Sequence, residues 1–307
     1  MNNPVYIVGN NALAYYLGAQ LQSGGKRVVM LAQSSSSSHL AMADSFSVKE
    51  DRSLTQKKYK LETAFTMKEP AEMVVITAFA NHLNTALSRV SRAKTGDAPI
   101  VCFTPLKDVS FLTSIFNHAP HPAFFNGYLL ESKNTVSLLG RGTNITICPP
   151  PNGEIDGNLI KTFADSGLNV SASASHILSF WEYFAPYALC SLLSAYENIK
   201  ISEFMKDKKR QSLMHDLVAE FCVLADSNSI SLNENIVLKN VYNTPSNYVY
   251  PLHASINNGD RDEFNLITTI VAEAMSDAKA RVPLIENILK ELYHRVLPDI
   301  DIKLEEK

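Results

Sequence analysis

The fold of the first half of the chain is decided by the stretch Val5-Tyr6-Ile7-Val8-Gly9-Asn10-Asn11-Ala12-Leu13-Ala14. Its first four residues are apolar and mostly β-branched, which favours a buried parallel strand ending at Gly9. A helix is predicted over residues 12–22, ended by Gly24-Gly25, and a second apolar strand over residues 28–32. Together these elements predict a β-α-β unit at the start of the chain.

The turn after the first strand follows the pattern G-x-G-x-x-G/A of dinucleotide-binding sites, with one departure. Gly9 occupies the first position and Ala14 the third, but the second position is Asn11. Asparagine adopts a positive φ more readily than most residues, yet it places a side chain where glycine lets a pyrophosphate approach. The turn therefore predicts either a dinucleotide site or a β-α-β turn that holds no nucleotide. The candidate cofactor-binding residues are Gly9, Asn10, Asn11, Ala12, Ala14, Gln33 and Ser34.

The end of the second strand bears on the type of cofactor. It reads Ala32-Gln33-Ser34-Ser35, without the acidic residue that binds the ribose 2′-hydroxyl of NAD. An arginine for a 2′-phosphate is also missing there, which leaves serine hydroxyls and the nearby Lys26 or Arg27 as weak substitutes. The sequence therefore favours NADP over NAD.

Strand-like apolar runs alternate with helical stretches until about residue 170, which predicts a parallel sheet covered by helices. The predicted strands lie at residues 73–77, 99–103, 135–139 and 144–147, the last two joined by Gly140-Arg141-Gly142, with a helix at 83–92 and a last small unit at 158–170. From His176 onward the period is helical, with helices predicted at 177–196, 214–225 and 263–281. The predicted fold class is α/β, with an N-terminal Rossmann-type parallel sheet domain at residues 1–172 and a C-terminal all-α domain at residues 173–307.

Composition excludes several classes of function. A formal net charge of −3 provides no field that would recruit nucleic acid. The four cysteines are far apart, and His118 and His121 have no third ligand nearby in the sequence, so no metal site and no disulfide framework is predicted. No apolar run reaches the roughly 18 residues of a membrane span. With no targeting segment recognised, we expect a cytoplasmic protein without a membrane partner.

The second half carries several short matches to one family. They are Trp181, Leu193, Ser194 and Ala195 in the aromatic helix, Glu220, Ala225 and Ile230 in the next helix and turn, Gly259, Arg261 and Glu263 around residue 260, and the step Val282-Pro283. In this order and spacing they resemble the ketopantoate reductases (2-dehydropantoate 2-reductases), and the resemblance covers most of the chain.

The resemblance implies a fold and a reaction. The fold would be a Rossmann-type domain followed by a 6-phosphogluconate-dehydrogenase-like helical domain, which in that family often forms a homodimer. The reaction would be reduction of a 2-keto acid by NADPH, with the small-molecule substrate in the inter-domain cleft. In the family a lysine donates the proton, asparagines and a serine hold the substrate, and a glutamate orients it.

Most of the family's catalytic positions are replaced in this chain. The lysine aligns with Tyr183, and the two following asparagines align with Tyr187 and Ser191. Only Glu263 matches a catalytic position outright. The remaining family positions, a serine, a first-domain lysine and an Asn-Gly pair, fall at Pro251, at Ala78-Phe79 and at Thr104-Pro105.

Three interpretations follow. In the first, the chain is a reductase of altered chemistry, with Tyr183 as acid, Glu263 orienting the substrate, and Tyr187 and Ser191 in contact with it. In the second, it is a non-catalytic pseudoenzyme that binds a nucleotide or other small molecule, or a dimeric scaffold. In the third, it is an oxidoreductase for a larger, more apolar substrate. Against any site role, the tyrosines would be core aromatics and Glu263 a solvated residue at a helix start.

Overall fold

The computed structural model describes residues 3–31, 45–50, 56–78, 82–258, 261–278 and 281–296. The chain divides into two compact units, Met1–Phe180 and Trp181–Lys307. The division lies inside the helix His176–Glu197, shortly after the boundary that the sequence placed at residue 172. That earlier boundary stays a prediction.

The first unit is built on strands, of which ten fall within the described residues. In chain order they are β1 Val5–Val8, β2 Val28–Leu31, β3 Phe46–Glu50, β4 Gln56–Tyr59, β5 Glu62–Ala64, β6 Met73–Ile76, β7 Ile100–Cys102, β8 His121–Ser132, β9 Thr135–Ile147 and β10 Val170–Ala172.

The strands form one sheet, which has a parallel part and a mixed part. The order is β4-β3-β9-β8-β7-β6-β1-β2-β5, with β10 beside β9. From β8 to β5 every neighbouring pair is parallel. From β8 to β4 the sheet is mixed, because β8 with β9 and β3 with β4 are antiparallel. Strand β8 therefore belongs to both parts of the sheet.

Strand β1 is the centre of the parallel part, and all four of its residues are buried. Successive side chains point to opposite faces of a strand. Accordingly Val5 and Ile7 pack into one core cluster, while Tyr6 and Val8 pack into the other. A continuous apolar run is what a strand covered on both faces requires.

The helices of the first unit are short, apart from the first one. They are α1 Ala12–Ser23, α2 Leu83–Leu87, α3 Arg92–Thr95 and α4 Gly157–Asp165, with a 3₁₀ turn at Ser110–Ser114. Helix α1 is confirmed, and Gly24 ends it with its N–H bonded to the carbonyls of Gln20 and Gln22. The single helix predicted at 83–92 was wrong, since two short helices stand there.

The predicted strands also needed correction, since two of them are one strand and several others were missed. The two runs at 135–139 and 144–147 form one strand, β9. Gly140, with φ +77°, lies inside this strand and does not end it. The long strand β8 was missed because Pro120 and Pro122 suggested a loop, although Pro122 lies inside the strand. Strands β3, β4 and β5 were missed as well, since they are short and, in β4 and β5, largely exposed.

The second unit is helical throughout its described residues. Its helices are the greater part of α5 His176–Glu197, then α6 Ile201–Phe204, α7 Lys208–Ser227, α8 Glu234–Tyr242, α9 Pro251–Asn258, α10 Asp262–Ala278 and α11 Pro283–Val296. Helix α7 contacts α8, α10 and α11. Phe184 of α5 meets Phe221 of α7 edge to face at 6.4 Å between ring centroids. The predicted class, a sheet domain followed by an all-α domain, is confirmed.

Candidate functional site

The turn after β1 accepts only glycine at its first position. Gly9 has φ +151°, and a Cβ there would lie 2.2 Å from the Thr77 Oγ1 and 3.0 Å from the Ala78 nitrogen. Both atoms follow the end of β6, the parallel neighbour of β1. The fingerprint glycine is therefore required by a close approach of two strand ends, as the dinucleotide fold demands.

Asn11 is the N-cap of α1 and has extended backbone, with φ −127° and ψ 172°. The positive φ considered for it was wrong. Its side-chain Oδ1 accepts a hydrogen bond from the Ala14 N–H at 3.0 Å. Its Nδ2 donates to the Thr77 carbonyl at 2.6 Å. The carboxamide thus spans from the first turn of the helix to the end of β6.

The other predicted residues of this turn have clear positions. Asn10 Oδ1 accepts a hydrogen bond from the Tyr15 hydroxyl at 2.9 Å. Ala14 is fully buried, as the third position of the fingerprint requires for close packing of helix and strand. Ala12 is partly buried. Gln33 and Ser34, with the serine run at 34–38, lie outside the described residues.

The turn lies where an open α/β sheet places its ligands. Chain connections run from β1 to β2 on one side, while β6 lies on the other side of β1, so the crevice between β1 and β6 is the topological switch point. Thr77 is 4 % exposed, and its Oγ1 has no hydrogen-bond partner within the described residues. The next strand end is closed by Thr104, whose hydroxyl donates to the Ala78 carbonyl at 2.7 Å.

Lys26 and Arg27, considered for a 2′-phosphate, face other partners. They precede β2 and so lie at its amino end, opposite the carboxyl edge where the fingerprint turn lies. The Lys26 ammonium pairs with Glu72 at 2.5 Å. The Arg27 guanidinium pairs with Glu62 and with Glu69, each at 2.8 Å, and its hydrogen bonds lower the pKa of both carboxyls. The clamp role suggested for them was wrong.

In the helical unit, one face of α5 gathers three predicted residues. Tyr183, Tyr187 and Ser191 follow at intervals of four, which places them on one side of a helix. The rings of Tyr183 and Tyr187 stack, with centroids 5.9 Å apart and planes at 10°. Ser191 is fully buried, and its Oγ has no hydrogen-bond partner among the residues described.

Glu263, in the first turn of α10, joins this face. It is 7 % exposed, so the solvated alternative was wrong. The Tyr187 hydroxyl donates a hydrogen bond to Glu263 Oε1. Burial, with the negative charge of Glu263 added, raises the pKa of Tyr187 well above its usual value of 10.0. The phenol therefore remains a proton donor to the carboxylate at every physiological pH.

Sequence reasoning missed one residue of this cluster, Tyr250. The Tyr250 ring meets Tyr187 edge to face at 6.0 Å between centroids, and its hydroxyl shares a hydrogen bond with Thr244 at 3.0 Å. The signal was the alternation Tyr248-Val249-Tyr250 before Pro251, since alternate residues of an extended segment point the same way. Pro251, at the family's serine position, begins α9.

Residues 5–104 match the family model described as ketopantoate reductase PanE/ApbA. This chain resembles the ketopantoate reductases. The predicted resemblance is therefore confirmed, while none of the curated proteins matches the sequence.

Solved structures of ketopantoate reductases share the fold over nearly the whole chain. The PanE/ApbA family ketopantoate reductase from Ralstonia eutropha JMP134 is 16 % identical at a TM-score of 0.78, covering 95 % of this chain and 98 % of that one. The 2-dehydropantoate 2-reductase from Geobacter metallireducens GS-15 is 15 % identical at 0.79, covering 94 % and 99 %. D-mandelate dehydrogenase in a ternary structure with NADH and anilino(oxo)acetate is 14 % identical at 0.79, covering 95 % and 98 %.

Glu220, one of the residues that resemble the ketopantoate reductases, has a structural role. Both carboxylate oxygens of Glu220, on α7, accept backbone hydrogen bonds from α11, from Leu284 at 2.9 Å and Ile285 at 2.8 Å. These amides lie in the first turn of α11 after Pro283, where helix N–H groups have no partner of their own. Glu220 therefore caps α11.

Other candidate chemistry is not supported within the described residues. No group of three or more His, Cys, Asp or Glu there is placed to hold a metal ion. His121 begins β8 and His118 precedes it, and the pKa of His121 is lowered by burial. The helices that the structure describes include none long and apolar enough to span a bilayer.

Proposed function

We propose that this chain is a ketopantoate-reductase-like, NADP-dependent oxidoreductase that reduces a keto compound other than ketopantoate. The observation that carries the proposal is the hydrogen bond from Tyr187 to the buried Glu263, with Tyr183 stacked on Tyr187. In the sequence resemblance, this phenol pair and carboxylate align with the lysine, the first asparagine and the glutamate of the family. The NADH-bound D-mandelate dehydrogenase supports a nicotinamide cofactor.

The chemistry requires a proton donor beside the carbonyl oxygen. A bound reduced nicotinamide supplies the hydride. As negative charge develops on the oxygen, Tyr183 donates its phenolic proton, which is feasible because an unperturbed phenol has a pKa near 10, close to that of lysine. Glu263 and Tyr187, fixed by their hydrogen bond, orient the substrate, and Ser191 offers a buried hydroxyl.

The β1 turn fits the diphosphate of such a cofactor. Gly9 allows the close approach, and the buried Thr77 hydroxyl provides a donor that has no protein partner within the described residues. Amides of the first turn of α1 are the usual ligands of a pyrophosphate. We assign the diphosphate to Gly9, Asn10, Ala12, Ala14 and the backbone of Asn11, and the adenosine end to Gln33 and Ser34.

A non-catalytic homologue that binds a nucleotide or another small molecule is the second candidate. It is favoured by the Asn11 carboxamide, which holds the Ala14 amide and the Thr77 carbonyl. It is also favoured by the replacement of the lysine, both asparagines and the serine of the family. In that case the Tyr187–Glu263 bond serves to join α5 and α10.

The test is turnover by the wild-type chain and by Tyr183→Phe, followed as NADPH oxidation with 2-keto acids, including ketopantoate, and neutral ketones. We expect turnover of a compound other than ketopantoate, lost by at least about a hundredfold in Tyr183→Phe, which is the usual contribution of a general acid. Tyr196→Phe is the matched control, since Tyr196 lies on the same helix and its hydroxyl donates a hydrogen bond to Glu291 at an exposed position. Unchanged turnover in Tyr183→Phe would remove the acid assignment, and no turnover of any compound would favour the non-catalytic candidate.

We also propose a homodimer in a reducing compartment. A dimeric ketopantoate reductase from Staphylococcus aureus shares the fold, at a TM-score of 0.74 and 11 % identity over 96 % of this chain and 99 % of that one. Cys102, Cys148, Cys190 and Cys222 are free thiols, which suits the cytoplasm that the sequence predicts. Light scattering of the purified protein measures the oligomeric state directly.

A further inference from the structure

Asn11 occupies the second position of the dinucleotide fingerprint, where a glycine lets the pyrophosphate approach the backbone. A phosphate at a helix N-terminus accepts hydrogen bonds from the free amides of the first turn. Here one of those amides, that of Ala14, already donates to Asn11 Oδ1 at 3.0 Å. A carboxamide oxygen carries partial negative charge, so it serves the same amide that a phosphate oxygen would serve.

The carboxamide is held from its other end as well. Its Nδ2 donates to the Thr77 carbonyl at 2.6 Å, across the crevice between β1 and β6. Thr77 is itself fixed, because its N–H donates to the Val8 carbonyl at 2.9 Å. The side chain therefore bridges the crevice between two rigid points.

A second observation shows that the turn is built for a ligand. The Thr77 Oγ1 is buried, lies 2.2 Å from where a Gly9 Cβ would stand, and has no hydrogen-bond partner in the described part of the chain. A buried hydroxyl without a partner costs free energy unless a ligand supplies one. The Thr77 hydroxyl is thus an unsatisfied donor directed at the turn. Beside it, the Ala14 amide already has an acceptor in Asn11.

We propose that Asn11 is an internal competitor for the diphosphate of the nucleotide, so that binding requires its carboxamide to leave both the Ala14 amide and the Thr77 carbonyl. This inference rests on the proposed nucleotide site and adds that the chain restrains its own affinity there. The loss of these two hydrogen bonds when the diphosphate binds weakens nucleotide binding by about tenfold, which corresponds to about 1.4 kcal/mol.

The test compares NADPH and NADH affinity, by titration calorimetry, in the wild-type chain, Asn11→Gly and Asn11→Ser. Glycine removes the competitor, whereas serine still caps a helix but is too short to bridge to β6. We expect about tenfold tighter binding in Asn11→Gly and an intermediate value in Asn11→Ser. Asn233→Gly is the matched control, because Asn233 caps α8 through the Asn235 amide in the other unit and should leave nucleotide affinity unchanged.

Each outcome has one meaning. Tighter binding in the Asn11 variants supports the inference, and if only the variants bind, the wild-type chain is not a nicotinamide enzyme although the competitor is real. Equal or weaker binding in both variants overturns the inference and leaves the proposed function standing. No binding by any chain overturns both. Should Asn11→Gly fail to fold, Asn11→Ser alone decides, since it retains the helix cap.

Discussion

Glu263 and Tyr187 lie 76 residues apart in the sequence, and their hydrogen bond is what makes the helical unit a candidate site. The sequence identified both residues, with Tyr183 and Ser191, by resemblance. It did not indicate that Glu263 is buried or that Tyr250 packs on Tyr187, because the partners come from α5, from α10 and from the segment before α9. Helical period reports which residues share a face but not which other helix covers that face.

Gly9 provides a prediction at the same scale. Gly9→Ala should lower the free energy of unfolding by about 2–3 kcal/mol, because its Cβ meets Thr77 at 2.2 Å and its φ of +151° disfavours a side chain. The measurement is urea unfolding. Gly157→Ala is the matched control, since nothing lies within 4 Å of a Cβ there, and it should be neutral or stabilise by up to about 1 kcal/mol. An unaffected Gly9→Ala would show that β6 yields to the added atom.

Among the elements, those with a clear apolar pattern were predictable and those defined by their neighbours were not. Strands β1, β2, β6 and β7 are buried runs, and α1 ends at glycines, so local sequence was sufficient. Strand β4 reads Gln56-Lys57-Lys58-Tyr59 and is exposed, so only its pairing with β3 makes it a strand. Edge strands with lysines carry little apolar signal, because their side chains are polar, and the same side chains limit further pairing at the sheet edge.

Glu220 yields the prediction at this scale. Glu220→Ala should destabilise the chain by about 2 kcal/mol, since two partly buried amides of α11 lose their carboxylate acceptor. Glu220→Gln, which keeps one oxygen, should cost less. Chemical denaturation is the measurement, with Glu273→Ala, an exposed position of α10, as control within about 0.5 kcal/mol. A loss in Glu220→Ala no larger than in Glu273→Ala would contradict the capping role.

For the whole molecule, buried acidic groups in both units predict the response to alkali. Burial raises the pKa of Cys102 to about 11 and of Cys190 to about 12, from a usual 9.0. A thiol whose pKa is raised in the folded state contributes stability in full below the unfolded pKa, and that contribution is lost as pH rises through the folded pKa. Stability should therefore fall between pH 9 and pH 12.

The decrease in the free energy of unfolding per pH unit can be assigned to the two thiols individually. Each contributes about 1.4 kcal/mol per pH unit within its window, so Cys190→Ala and Cys102→Ala should each flatten the dependence by that amount. Urea unfolding from pH 7 to pH 11 measures it. Below pH 8 the curves of variant and wild type should run parallel, which serves as the internal control. Parallel curves above pH 9 as well would show that these thiols ionise alike in both states.

Strand β8 has a consequence for the order in which the first unit acquires its structure. It is joined to β9 by only two residues, Lys133 and Asn134, and the turn is helped by the positive φ of Lys133. Such a hairpin closes a minimal loop and forms on the microsecond scale, well before pairings between distant segments. Because the first residues of β8 also pair with β7, the finished hairpin offers an edge on which the parallel strands can assemble. These two strands, which are synthesised after β1 to β7, would then be among the first to fold, and the nucleotide-type turn near the N-terminus would be completed late.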